Sequence, residues 1–145
     1  MKREIKFRGQ DKVSKQFVFG DLIHGVGFKK GNIYILPLIE NLASVPHCDP
    51  LDGVLVLPET VGQFTGLTDK NNNLIYEGDI CRLVPKAKYN NSSARHMFGV
   101  REVIYYSGIA SYFYDSFVSM SWGGFEFVEI IGNIHENPEL LSRAE

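Results

Sequence analysis

The sequence predicts an all-β protein on three observations. Aromatic residues make up 12% of the chain and its 14 glycines are scattered, a mixture that suits many short strands and turns. Short runs of β-branched and aromatic residues recur between Gly, Pro, Asn and Asp. Residues 60–80, TVGQFTGLTDKNNNLIYEGDI, place a polar turn between two such runs.

Residues 4–8 alternate polar and apolar, as a half-buried strand does, and residues 9–14 read as a polar turn. A second strand begins at 16–19 and continues to His24. Residues 25–31, rich in Gly and Lys, read as a loose basic loop. Residues 32–39 are β-rich, but Pro37 lacks a ladder N–H, so this strand lies at an edge or ends there. Residues 40–52 read as irregular, with Pro46 and Pro50 as breakers. Residues 54–57 form a short apolar strand closed by Pro58.

The hairpin pairs residues 61–67 with 74–76 across the polar 68–73. Asp and Asn side chains bond their own backbone, and Asn tolerates the left-handed region, so one of Asn71, Asn72 or Asn73 is expected at positive φ. Glu77-Gly78-Asp79 then re-aims the chain, as a turn or a bulge, into a strand at 80–84. Residues 85–98 read as a long loop with an Asn-Asn-Ser-Ser core. Residues 99–106 form a strand. Residues 111–119 read as a strand, with a helix as the alternative, and 125–135 as a strand bulged near Gly132. Asn137 suits an N-cap, Pro138 the first helical position and Glu139 the positive end of a short C-terminal helix. A Gly followed by Asp or Asn and an aliphatic residue recurs at 19–22, 77–80 and 131–134. That echo suits a repeated strand-bending device, or duplication of an ancestral β unit.

At 145 residues the chain suits one domain or two small ones, and 44% hydrophobic content supports a real core. The N-terminus lacks an apolar secretory-type region, and no run approaches the roughly 18 apolar residues of a membrane span, so a soluble, intracellular protein is expected. Cys48 and Cys81 show no CxxC spacing and are expected as free thiols. A net charge of −2 argues against a generally basic nucleic-acid binder. The charge is uneven, however. Residues 80–101 hold Arg82, Lys86, Lys88, Arg95 and Arg101 and no acid, whereas 102–145 hold seven acids against Arg143. Such asymmetry suits nucleic acid or contact between copies.

Several blocks resemble the YopX family, small proteins carried by phages, prophages and other mobile elements of bacteria. They are residues 3–8 (REIKFR), 19–23 (FGDLI), 60–71 (TVGQFTGLTDKN), 75–80 (IYEGDI) and 131–141 (IGNIHENPELL). Residues 25–58 and 85–123 match only loosely, and position 72 is Asn where relatives commonly have Gly. The resemblance implies a β-rich fold with an SH3-like barrel in its C-terminal half, and the strand reading agrees. The expected organisation is an N-terminal β subdomain over 1–74, hairpin included, then an SH3-like β-barrel over 75–145 with a short C-terminal helix, the two either separate or packed as one unit. The resemblance also implies a phage or prophage origin and the cytoplasm of a bacterial host. It brings no activity, catalytic residue or cofactor.

The residues themselves carry little catalytic signal. His24, His47, His96 and His135 are scattered, and His47-Cys48-Asp49 is the one dense cluster of ligand types, on an irregular loop. Asp21, Glu77 and Asp79 are candidate paired carboxylates, but beside Gly such groups commonly bond turn backbone. No catalytic residue, metal ligand or cofactor is assigned. Gly62, Gly66, Asp69, Asn72, Gly78, Asp79, Gly132, Asn137 and Pro138 read as architecture. The candidate binding segment is the basic, aromatic stretch with Arg82, Lys86, Lys88, Tyr89, Arg95 and Arg101, followed by Tyr105 and Tyr106. A cationic groove with stacking rings would bind single-stranded nucleic acid. The favoured alternative is a solvated basic loop that pairs with the acidic C-terminal region, within one chain or between copies. The expected protein is a non-enzymatic interaction or assembly module, homo-oligomeric or bound to host or phage proteins, with exposed aromatics near 105–127 at the centre of its interface.

Overall fold

The computed structural model describes residues 4–39, 42–49, 52–89, 98–107, 111–115, 118–120 and 123–142. The chain divides into two compact units, Met1–Phe64 and Thr65–Glu145. The boundary falls inside a strand, so the Asn-rich hairpin turn belongs to the second unit.

The first unit is an antiparallel sheet built from β1 (Phe7–Gln10), β2 (Phe17–His24), β3 (Ile33–Pro37), β4 (Cys48–Asp49) and β5 (Gly53–Val56), with the start of β6 (Gly62–Thr68). Their order is β4-β5-β3-β2-β1-β6. Ile35, Val54 and Val56 are its fully buried core, with Phe7, Val18, Leu22 and Val61 packed around them. The first strand runs over 7–10 rather than 4–8, because the chain at Arg8 and Phe7 is flanked on both sides, by β2 and by β6. A strand with two neighbours buries polar side chains as well as apolar ones, and Arg8 and Gln10 are buried. The turn expected at 9–14 accordingly sits later, where Asp11 accepts from the Val13 N–H (2.8 Å) and from the Lys15 N–H through its carbonyl (2.8 Å). β3 is not an edge strand. It lies between β2 and β5 and ends at Pro37. Residues 25–31 are not a loose loop but a closed turn: Gly25 N–H donates to Asn32 (2.9 Å) and Asn32 N–H to Lys29 (2.9 Å).

The second unit opens with the hairpin of β6 and β7 (Leu74–Tyr76). It continues through β8 (Asp79–Pro85), β9 (Gly99–Tyr106), β10 (Ser111–Tyr114), β11 (Val118–Ser119), β12 (Phe125–Asn133) and α1 (Glu139–Ser142). The last five strands form an antiparallel sheet in the order β11-β10-β9-β8-β12. β8 thus pairs with both the next strand and the last one, and the sheet is open: among the described residues no ladder joins β11 to β12. Its core is Ile75, Cys81, Leu83, Phe98, Val103, Tyr114, Val118 and Met120. Tyr114 and Phe125 meet edge-to-face at 5.5 Å. The 111–119 segment is β structure, as expected, but folds into two strands. Asp115 takes a left-handed φ of 55°, and Tyr114 pairs with Val118.

The threefold Gly echo has no single structural meaning. Gly20 lies in β2 so close to β3 that a Cβ would sit 2.0 Å from the Leu36 carbonyl oxygen. Gly78 turns β7 into β8 with a left-handed φ of 90°. Gly132 follows a register break in β12, against the Asn137 side chain. The second and third copies do meet, because Asp79 pairs with Asn133 across β8 and β12.

Candidate binding surface

The logic of residues 60–80 is structural, and Asp69 is its centre. Asp69 is buried (6% exposed), and its Oδ1 accepts from the Asn71 and Asn73 N–H groups, both at 2.9 Å. Its Oδ2 accepts from the Ile130 N–H at 3.1 Å. Asn72 is the residue at positive φ (64°), which fulfils the expectation for the Asn run. Burial pushes the Asp69 carboxyl up, but the N–H groups of Ile130, Asn73 and Asn71 outweigh it and hold its pKa below 3.8. The adjacent Lys70 N–H donates to Val128 (2.8 Å), while its ammonium pairs with Glu129 (3.1 Å) and lies 4.5 Å from the Phe127 ring centre. Among the described residues β12 has β8 alone as a strand neighbour, and the hairpin turn covers its other edge with a backbone bond and a carboxylate.

The other architectural residues lie in strand β6 or hold turns. Gly62 opens β6 opposite Arg8, and Gly66 lies later in the same strand. Buried Asp79 accepts from the Tyr76 N–H at 2.7 Å. Asn133 Oδ1 accepts from His135 and Glu136 N–H groups, both at 3.0 Å. Asn137 does not cap the helix with its side chain. Its backbone carbonyl accepts from Leu140 (3.1 Å), while its Oδ1 turns back to the Asn133 N–H (3.4 Å), with Pro138 next in line before α1.

Among the described residues, Arg82 and Arg101 of the basic segment do not share a face. Arg82 stands across from Glu129 in register, with 3.8 Å between charges, whereas Arg101 stands across from Cys81 on the core face. Alternation along a strand sends neighbouring positions to opposite faces, and a sequence segment hides that separation. Lys86 and Lys88 are exposed around the 3-10 turn Ala87–Tyr89, with the Lys88 ammonium 4.9 Å from the Tyr89 ring centre. Arg95 and His96 lie outside the described residues.

The candidate carboxylates fall in different elements. Asp21 is on β2 in the first unit, and Asp79 is spent on the Tyr76 N–H. The acids shifted by a neighbouring charge are Glu77 and Glu102. Burial, then the Glu102 charge, raises Glu77, and burial, then Asp115, raises Glu102. Among the described residues no group of three or more His, Cys, Asp or Glu is placed to hold a metal. His47 Nδ1 instead meets buried Asp11 at 2.8 Å. Both cysteines are free thiols, and burial, then Asp49, pushes Cys48 up, away from thiolate chemistry.

A cleft of about 200 Å³ opens between β6 and β10, lined by Thr65, Leu67, Ser111, Tyr112 and Met120. Tyr112 pairs across the ladder with half-exposed Tyr105, ring centres 5.0 Å apart. On the opposite face of the same strands Tyr106 meets Phe113 edge-to-face at 5.3 Å. The aromatic density of residues 105–114 was visible in sequence. Thr65, Leu67 and Met120 were not, since they come from segments far apart in the chain.

The sequence profile described as "YopX protein" matches residues 6–142. The chain belongs to the YopX family. The crystal structure of protein EF1440 from Enterococcus faecalis shares its fold, with 24% identity, a TM-score of 0.54, and coverage of 97% of this chain and 99% of that one. No curated protein matches the chain. Among the described residues no helix is long and apolar enough to cross a membrane. The hairpin and 131–141 blocks, which carry part of the family resemblance, are thus turn-locking parts of the YopX fold in this chain.

Proposed function

We propose that this YopX-family protein is a non-enzymatic protein-contact module of a phage or prophage, working in the bacterial cytoplasm. The observation that carries this reading is the cleft, with Leu67, Tyr112 and Met120 in its wall and half-exposed Tyr105 beside it. Aromatic and Met side chains around a recess are the composition of an interface centre. The test is capture from phage-infected host cells with the full-length protein as bait, after nuclease treatment. Protein partners retained by wild type and lost with Leu67→Lys support the reading, and identical capture by both removes the cleft as the contact site.

Exposed Lys86 and Lys88 beside Tyr89 support a second reading, a nucleic-acid accessory role. It requires binding that falls steeply with salt and is abolished by Lys86→Glu with Lys88→Glu. Under the protein-contact reading that double variant leaves retention on single-stranded DNA, measured by fluorescence anisotropy, unchanged.

A further inference from the structure

The β2–β3 turn holds its apolar side chains out in water. Phe28 is fully exposed and Val26 is 81% exposed. The turn is closed by backbone bonds from Gly25 to Asn32, Lys29 to Val26 (3.1 Å), Lys30 to Gly27 (3.2 Å) and Asn32 to Lys29. Lys29 also pairs with Asp52. A ring presented on a turn already ordered loses little further freedom on capture. One ring is a poor lipid anchor, since stable anchoring takes two signals and Asp52 already engages the Lys29 charge. A protein recess fits better.

The second unit offers such a recess. Its cleft of about 200 Å³ is below the roughly 300–1,000 Å³ of small-molecule sites. It exceeds the roughly 150 Å³ in which an apolar cavity accepts benzene. That size suits one aromatic side chain. The charges favour the same pairing: residues 1–64 hold eight Lys and Arg against seven Asp and Glu, and residues 65–145 hold ten acids against seven bases. We propose that Phe28 of one copy seats between Leu67, Tyr112 and Met120 of a second copy, so that the chain associates head-to-tail. This rests on the reading of the cleft as a protein-contact site and names its occupant. Ring and cleft are different patches, so the contact is heterologous and either closes into a ring of subunits or runs on as a filament.

The test is sedimentation equilibrium of the full chain over a range of concentrations. Wild type gains mass with concentration. Phe28→Ser and Leu67→Lys each weaken association by at least about tenfold and sediment as monomers. Mixed together they form a one-to-one heterodimer and no more, because one variant keeps its cleft and the other its ring. A monomeric wild type, a Phe28→Ser protein that associates like wild type, or a mixture that stays monomeric each overturns the proposal. Far-UV circular dichroism checks that the variants fold, and Ser111→Arg replaces Leu67→Lys if that variant does not. A monomeric wild type whose host capture still depends on Leu67 removes the second copy as occupant and leaves the cleft reading standing.

Discussion

Two turns that do the same topological work are built in opposite ways. The β6–β7 turn directs a charged side chain inward, and Asp69 is buried among backbone N–H groups of its own turn and of β12. The β2–β3 turn directs an aromatic side chain outward, with Phe28 in full contact with water. Each reverses the usual partition of polar and apolar groups. An inverted polar residue is tolerable only when fully bonded, so it locks the structure. An inverted apolar residue contributes nothing to folding where it stands, so its value lies in what it meets.

The comparison breaks most readily at Asp69. Asp69→Ala leaves three backbone donors without their acceptor, two of them in the turn and one on β12. A loss of about 2–4 kcal/mol in urea unfolding is expected. A change below about 0.5 kcal/mol would mean that water replaces the carboxylate freely and that the turn is no lock.

Acidification tests the same bond. The Asp69 pKa is lowered on folding, so its contribution is fully present above the unfolded value near 3.9 and is lost as pH falls through the lower folded value. Melting temperature should drop more steeply below pH 4 in wild type than in Asp69→Asn. Parallel curves for the two proteins would assign the acid sensitivity elsewhere.

A smaller effect is expected at Asn72, whose φ of 64° suits Asn and Gly but strains a residue with an ordinary Cβ. Asn72→Ala should cost about 1 kcal/mol and Asn72→Gly close to nothing, by thermal unfolding. Equal losses for the two would show that the Asn side chain, not its backbone tolerance, matters there.

At the other turn Phe28→Ser should leave monomer stability within about 0.5 kcal/mol of wild type, by urea unfolding at a concentration where association is negligible. A larger loss would place the ring in the folded core and remove the contrast between the turns.

Much of this fold was legible in local sequence. The Asn-rich run announced a left-handed residue, Gly78 announced a corner and Gly132 a bulge, because backbone conformation at such points depends on the identity of one or two residues. The blocks that carry the family resemblance were legible for the same reason. Arg82 and Arg101 show the opposite case. They look like one basic patch in the chain, yet the pairing of β8 with β9 and β12 sets them on opposite faces. Asp69 was legible as a turn residue, but its bond to Ile130, 61 positions away, was not.

The sequence by itself determined the all-β class, the turn residues and the family, since these rest on side-chain chemistry and on neighbours within a few positions. Only the tertiary structure decided that Tyr112 and Met120 share a recess with Leu67, that β12 is capped by the Asp69 turn, and that Phe28 is left bare. Those facts depend on which distant segments pair and in what register. Ladder register is a property of two strands together and is written in neither alone.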